Sequence, residues 1–464
     1  MIIRDKIEKM NDLDIDRIIM TNDYGLEFDI TNFITTLGFY ESIFNPFIVG
    51  ELVLEDAQDL MSNLSIVGRE KILVRFKTPA IDPEIREITL RVAGQKSKIS
   101  PNKSRAYIVN LRLVSEDYFT NQTTKDSVSF TGKPHQIVQK VVSEYLPSDL
   151  AVNEQTADDE YKVVYPFKQP LHMITQVMTN ATPADSEDSE NDAGFLFYET
   201  LDGLNFRCFN NLFKQSPSYT FFNSDAIRSS ASDDEFLKST FYTEKLVFKD
   251  TSNRVKQVEN GAFASRTYFH DLSTKEWGQN TFNYANDNKV SKKGGRSNET
   301  APIFPSSVQV QGFDNAGIVS NEMFPVISSN QPENTNIQKV FFTPRHTNIC
   351  GEEYKANENR YETTRFANSN LSLYNDTEVE ITISGNSLLR AGQTVNLMVT
   401  RNEPDTKILS SGSDFNEEKS GKYLISSIQH RFFMVDGSYK TYVTLVRNFR
   451  GKSVPQQQEK VETT

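Results

Sequence analysis

A β pattern that occurs twice, once towards each end of the chain, constrains the fold more than any other feature. In the first copy Ile66, Val67, Gly68, Arg69 and Glu70 lead into Lys71 to Phe76, and strands over Ile88 to Val92 and Ala106 to Val114 close the unit. In the second, Leu388 to Gly392 lead into Thr394 to Val399, with a closing pair at Tyr423 to Phe433 and Lys440 to Val446. Two like β-units in one polypeptide suggest a ring builder, because a few subunits then supply twice that number of wall segments.

The 464 residues exceed one ordinary domain, and three or four domains are expected. Hydrophobic residues make up 37% and aromatics 11%, with 32 Phe, which is the composition of a packed chain. The formal charge of −12 argues against a dedicated nucleic-acid binder, although an acidic wall would let DNA pass without adhering. Cys208 and Cys350 are the two cysteines, so neither a disulfide framework nor a Cys-based metal site is expected. Charges fall where a signal peptide's apolar core would lie, and no run of about 18 apolar residues occurs; assembly in a cytoplasm with no membrane span is expected.

Leu13 to Ser115 alternate short apolar and polar runs with turn residues, as a β-rich domain does. Tyr24 to Ile30 reads as one strand, with Leu26, Phe28 and Ile30 on one face, and Phe47 to Glu55 reads as another, followed by a helical turn over Asp56 to Met61. From Ser127 the period changes. Pro134 opens a helix carrying Ile137, Val138, Val141, Val142 and Tyr145, and Pro170 opens a second with Leu171, Ile174, Val177 and Met178. Their sheet is expected to be a hairpin over Gly194 to Phe209, turning at Asp202-Gly203. The block from Thr124 to Phe222 therefore reads as an α+β insertion.

Catalytic constellations are not apparent. The histidines at 135, 172, 270, 346 and 430 lie in separate segments without zinc-ligand spacing, and there is neither a Gly-x-Ser-x-Gly elbow nor a phosphate loop around Gly132-Lys133. The acidic tract Asp185 to Asp192 lacks the glycine and terminal glutamate of a calcium loop and reads as a solvated loop. Lys292, Lys293 and Arg296 read as a surface loop and not as a nucleic-acid patch. Among 62 acidic residues a glycosidase pair including Glu70 or Glu199 stays open against the plainer reading of surface charges and hydrogen-bond partners. No cofactor or metal is expected.

The aromatics Phe39, Tyr40, Phe44 and Phe47 surround Asn45-Pro46 between two strands. They are either a protruding loop that docks on a neighbouring subunit or ordinary burial beneath a barrel rim. Val395 and Leu397, in a wall strand, are the other candidate interface residues. Trp277 reads as core or subunit contact and not as a sugar platform.

Thr36 to Phe44, Gly50-Glu51-Leu52, Asp56, Leu60 and the Ile66-x-Gly68-x-Glu70-x-Ile72 pattern resemble the opening domain of central baseplate hub proteins from contractile-tailed, T4-like phages. Tyr165 to Phe167 with Pro170, Phe197 to Glu199, Gly203-x-x-Phe206, Ser384 to Gly392, and Tyr423 to His430 with Leu445 to Arg447 resemble the later parts of such hubs, while roughly 285 to 345 departs from them.

The resemblance implies an α+β, β-rich fold with two tube-protein-like antiparallel β-barrel or sheet domains, an α+β insertion and a peripheral domain. Residues 1–120 would form the first tube-like unit, 121–232 the α+β domain, 233–260 with 360–449 a split second unit, 261–359 an irregular inserted domain and 450–464 a flexible tail. It further implies a homotrimer that adapts a sixfold tail tube to a threefold spike, in the virion baseplate. Its partners would be the central spike, the tail tube or tube initiator, and the tape measure and wedge proteins, with DNA passing through the lumen. Ring closure would pair exposed sheet edges and bury well over about 2,000 Å² per interface. A virion-associated cell-wall hydrolase or carbohydrate-binding tail protein is the alternative.

Overall fold

The computed structural model describes residues 11–57, 66, 68–78, 81–99, 106–157, 161–184, 194–223, 241–249, 254–271, 274–283, 337, 339–345, 360–374, 377–400, 416 and 419–447. Its architecture is β-rich, with one large mixed sheet and three small ones. The tracts expected around residues 56–61, 185–192 and 292–296, as well as His346, Cys350 and the 450–464 tail, lie partly or wholly outside the described residues.

The large sheet holds two five-stranded units. The first comprises β3 (Ile34–Ser42), β4 (Val49–Asp56), β5 (Lys71–Thr78), β6 (Asp82–Ile99) and β7 (Tyr107–Ser115), with β1 (Asp14–Thr21) and β2 (Glu27–Asp29) added beyond β5. The α+β segment follows with β8 (Asp126–Gly132), β9 (Leu150–Asn153), β10 (Tyr161–Lys168), β11 (Phe195–Thr200) and β12 (Gly203–Cys208). Next come β13 (Tyr219–Asn223) and β14 (Lys245–Lys249), then a peripheral sheet of β15 (Ala264–Asp271), β16 (Trp277–Asn283) and β17 (Lys339–Arg345). The second unit is completed by β18 (Thr377–Ser384), β19 (Thr394–Val399), β20 (Gly421–Phe433) and β21 (Ser438–Arg447).

Spatial order in the first unit is β3-β4-β7-β6-β5 and in the second β14-β18-β21-β20-β19, every neighbouring pair antiparallel. Each is a meander of three strands whose last returns beside the strand preceding them, a Greek-key connection made twice. The register aligns them residue by residue. A bulge separates Val92 from Gly94 in β6, opposite Leu113 and Arg112, and another separates Ile425 from Ser427 in β20, opposite Leu445 and Thr444. Superimposing those bulges matches Val114 to Val446 and Tyr107 to Tyr439, Val49 to Glu378, and Phe39 to Phe248. It also matches Ile72 to Val395 and Val74 to Leu397, and all four of these side chains are buried. The match stops at the flank, where β1 runs antiparallel to β5 but β13 runs parallel to β19.

Alternating apolar positions explain the cores. Ile72, Val74 and Phe76 of β5 project into the first core with Leu52, Leu54, Val109, Leu111 and Leu113, and Val379, Ile381, Val395, Leu397 and Val443 fill the second. The expected α+β insertion forms around helices α1 (Glu116–Thr123), α2 (Pro134–Tyr145) and α3 (Pro170–Met178). Ile137, Val141, Ile174 and Val177 pack there against Phe195, Phe197, Leu204 and Phe206 of the β11–β12 hairpin. The turn of that hairpin needs glycine, because Gly203 has φ +120° and a Cβ would lie 3.0 Å from the Asp149 carbonyl oxygen. Helix α4 (Phe209–Lys214) leads from the hairpin to β13.

Four expectations change. Tyr24 to Ile30 is not one strand: Tyr24 and Leu26 are exposed in a turn that Asn22 closes through hydrogen bonds from Tyr24 and Leu26 N–H, and strand structure is confined to β2. Phe39 and Tyr40 lie inside β3, so the β3–β4 connection is shorter than the aromatic run indicated. The 261–359 region is not wholly irregular, since β15 pairs antiparallel with β16 and parallel with β17. Helix α5 (Arg254–Glu259) precedes that sheet, and α6 (Arg360–Leu373) packs on it through Phe366 against Phe282. β13, within the block read as insertion, belongs to the large sheet.

Candidate assembly interface

The two units meet edge to edge. The far half of β20, Ser427 to Phe433, pairs antiparallel with Ser42 to Thr36 of β3, so one sheet runs through both units. This works because β20 outlasts its first partner: Gly421 to Leu424 pair with β19, and beyond the bulge the same edge is handed to β3. Beneath the pairing, Phe432 and Tyr439 of the second unit stack at 4.5 Å and join Phe39 and Phe76 in the first unit's core.

Polar groups lock the junction. Ser387, in the loop before β19, donates to Asp82 at 2.9 Å and lies 2.9 Å from the Thr78 hydroxyl, tying that loop to the β5–β6 turn. Glu41 of β3 accepts from Leu201 N–H at 3.0 Å and Ala391 N–H at 3.2 Å, holding the insertion and the second unit on the first. Burial pushes its carboxyl up to about 7, against the pull of Arg390 and those two N–H groups. Arg390 is itself held by Asp202 at 2.7 Å and the Leu389 carbonyl at 2.8 Å. Gly392 (φ +87°) lets this loop approach Tyr198, whose hydroxyl occupies the place of a Cβ.

The proposed interface residues separate into two sets. Phe39 and Phe47 are buried within the chain, the latter edge-on to Tyr118 and Phe197, and Val395 and Leu397 are buried in the second core, so none of the four presents surface to another subunit. Tyr40 is half-buried, and Phe44 is 44% exposed with its ring 4.8 Å from Tyr374. These two border a groove of about 540 Å³ across the face of β14, β18, β21 and β20, where Lys249 ion-pairs with Glu378 at 3.0 Å and Glu380 at 2.5 Å.

The residues set against a hydrolytic role take structural places. Glu70 is buried and accepts the N–H groups of Gly68 and Arg69 at 3.0 Å, shaping the turn into β5. Glu199 is buried, accepts Ile48 N–H at 2.9 Å, and is pushed up to about 8 by burial and then by the neighbouring Asp117. Neither lines the groove. Trp277 is 72% exposed on β16, which removes the core reading. Among the described residues no His, Cys, Asp and Glu group could hold a metal ion, and no helix is long and apolar enough to cross a membrane. Sequence reading missed Glu41, Arg390, His430 and Tyr439. The one available signal was His430 between Ile428 and Phe432 on the apolar face of a strand.

No family model matches this sequence, and no curated protein matches it. Solved structures similar to it include the tail protein from Neisseria meningitidis MC58, with 10% identity over 93% of this chain and 96% of that one, at a TM-score of 0.47. The 43 kDa tail protein of prophage MuSo2 from Shewanella oneidensis matches with 11% identity over 93% and 98%, also at 0.47. Prophage tail protein gp18 from Listeria monocytogenes EGD-e matches with 11% identity over 94% and 95%, at 0.42.

Proposed function

We propose that the chain is a structural wall protein of a phage-type tail, and within that class the central baseplate hub. Three copies would carry six like units and so join a sixfold tail tube to a threefold spike. The observation that carries this is the pair of five-stranded units with the same strand order, directions and bulge position, joined edge to edge in one sheet. The resemblance of the sequence to hub proteins supplies the rest. On this reading residues 1–120 and the split 233–260 with 360–449 are the tube-like units, 121–232 supports the spike from outside, and 261–359 is peripheral.

The protein acts without catalysis, in the virion baseplate after assembly in the host cytoplasm. It contacts the spike, the tube or its initiator, and the tape measure and wedge proteins, while DNA crosses the lumen. Nothing in the arrangement of Glu70, Glu199 and Trp277 favours the cell-wall hydrolase or carbohydrate-binding alternative. Mass measurement with negative-stain imaging of the purified full chain tests the proposal: a three-copy ring with six lobes is expected. A monomer that clears cell-wall substrate, and loses that activity in Glu199→Gln, would replace the hub with the hydrolase.

A further inference from the structure

Within the chain, the β20–β21 arm reaches over the first unit, pairs with β3 and buries Tyr439 completely. The equivalent arm of the first unit, the far ends of β6 and β7, pairs with no strand outside that unit among the described residues. Tyr107, at the position of Tyr439, is 39% exposed, and Ile108 and Ile99 beside it are 39% and 56% exposed. Beyond Arg91 the β6 edge that faced β5 has no partner strand among the described residues, although it continues to Ile99. The equivalent of β3 is β14, which pairs with β18 on one side and with no described strand on the other. Among the described residues there is thus one closed arm-to-edge joint and the two open halves of a second.

We propose that these halves join between copies: the β6–β7 arm of one chain pairs antiparallel with β14 of the next, in the register that β20 makes with β3. Carrying the Gln429–Tyr40, His430–Phe39 and Arg431–Gly38 pairs across the repeat sets Ser97 opposite Lys249, Lys98 opposite Phe248 and Ile99 opposite Val247 of the second copy. Tyr107 then covers Leu246 and Phe248, which stand where Leu37 and Phe39 stand beneath the intrachain arm, while Ile108, on the opposite face of β7, lies beside Ile99 on the side of Val247. Each copy offers one arm and one edge, so the contact is head to tail and closes as a ring when the rotation allows. Pairing also removes two open sheet edges, which favour association with other strands when left free. The inference rests on the wall-protein reading and deepens it, since it names the seam without requiring three copies.

The test is oxidation of the full-length Ile99→Cys/Val247→Cys variant, read on a non-reducing denaturing gel beside light scattering of the wild type. Directly opposed antiparallel residues lie within disulfide reach. Covalent multimers from the double variant, with neither single variant giving more than a dimer, are expected. A wild-type ring whose double variant does not cross-link overturns the seam and leaves the hub reading standing. Cross-linked rings of another copy number uphold the seam and overturn the threefold hub. A wild type monomeric at every concentration overturns the seam. Should the double variant misfold by circular dichroism, Ser97→Cys/Lys249→Cys replaces it. Tyr107→Asp, at an exposed site, is expected to keep the melting of the isolated chain and weaken assembly at least tenfold; unchanged assembly would count against the joint.

Discussion

The ring of Phe39 lies 4.8 Å from the imidazole of His430, across the strand pairing that joins the two units. The imidazole Nδ1 in turn lies 2.7 Å from the Tyr439 hydroxyl, and both side chains are fully buried. Burial, reinforced by Arg390, pushes His430 down to about 3, while burial drives Tyr439 strongly upward. Both groups are therefore neutral at physiological pH, and their mutual hydrogen bond lets two polar side chains sit in an otherwise apolar joint.

That neutrality makes the joint sensitive to acid. The unfolded chain takes up a proton at His430 below about pH 6.5, whereas the folded chain resists until about 3, so this residue's contribution to stability is lost as the pH falls through that window. Replacing the pair together, as His430→Phe/Tyr439→Phe, removes the sensitivity without orphaning either partner. Urea unfolding at pH 6.5 and 5 is expected to show the wild type losing about 2 kcal/mol relative to the double variant. Equal losses in the two proteins would mean that His430 is charged or solvated in the fold.

Glu41 and Glu199 act in the opposite direction. Their carboxyls titrate at about 7 and about 8 in the fold, against 4.5 as the ordinary value, so the folded chain retains protons that the unfolded chain has released. Their contribution is present below about pH 4.5 and is lost as the pH rises towards 7 and 8. Glu199→Gln keeps an acceptor for Ile48 N–H, and Glu41→Gln keeps one for either Leu201 or Ala391. Thermal melting from pH 5 to 8.5 should therefore fall less steeply in each variant than in the wild type, and a parallel fall would show both carboxylates ionised throughout.

How far the sequence disclosed this arrangement follows from the distance over which each signal acts. The hairpins at Phe195–Cys208 and Tyr423–Val446 and the helices opened by Pro134 and Pro170 are local, and period, turn residues and capping place them within a few residues. The repeat was visible because Ile72, Val74, Val395 and Leu397 are core positions in both units. The β3–β20 joint was not legible, since partners almost 400 residues apart leave no spacing to read, and Phe39-Tyr40 looked like loop because glycine and proline punctuate that stretch at Gly38 and Pro46. Glu41 carried no mark of its burial, because its two N–H partners at Leu201 and Ala391 come from elements brought together by the fold alone.

The repeat predicts equal penalties at equivalent sites. Ile72→Asp and Val395→Asp each place a carboxylate at a fully buried position inside an apolar core, and each is expected to cost about 3–5 kcal/mol or prevent folding. Phe44→Ala, at a partly exposed position, is expected to cost about 1 kcal/mol in the isolated chain. Denaturant midpoints check the set, and a soluble Val395→Asp protein with wild-type stability would refute the assignment of β19 to the core.

Gly385 offers a finer probe of the joint. Its N–H donates to the Tyr439 carbonyl at 2.9 Å, and the Tyr439 ring lies where a Cβ on residue 385 would be. Gly385→Ala therefore cannot be absorbed by a flexible side-chain end; it must push a ring that is stacked on Phe432 and packed edge-on to Phe76. Overpacking of this kind costs about 1–3 kcal/mol. Truncating the ring as Tyr439→Leu makes room but gives up the hydrogen bond to His430. The two changes should be less than additive, with the double variant more stable than the sum of the single losses by about 1 kcal/mol in a double-mutant cycle. Strict additivity would show that the β20–β21 arm shifts as a body to accept the alanine, and that the joint is held by its strand pairing and not by the packing of Tyr439.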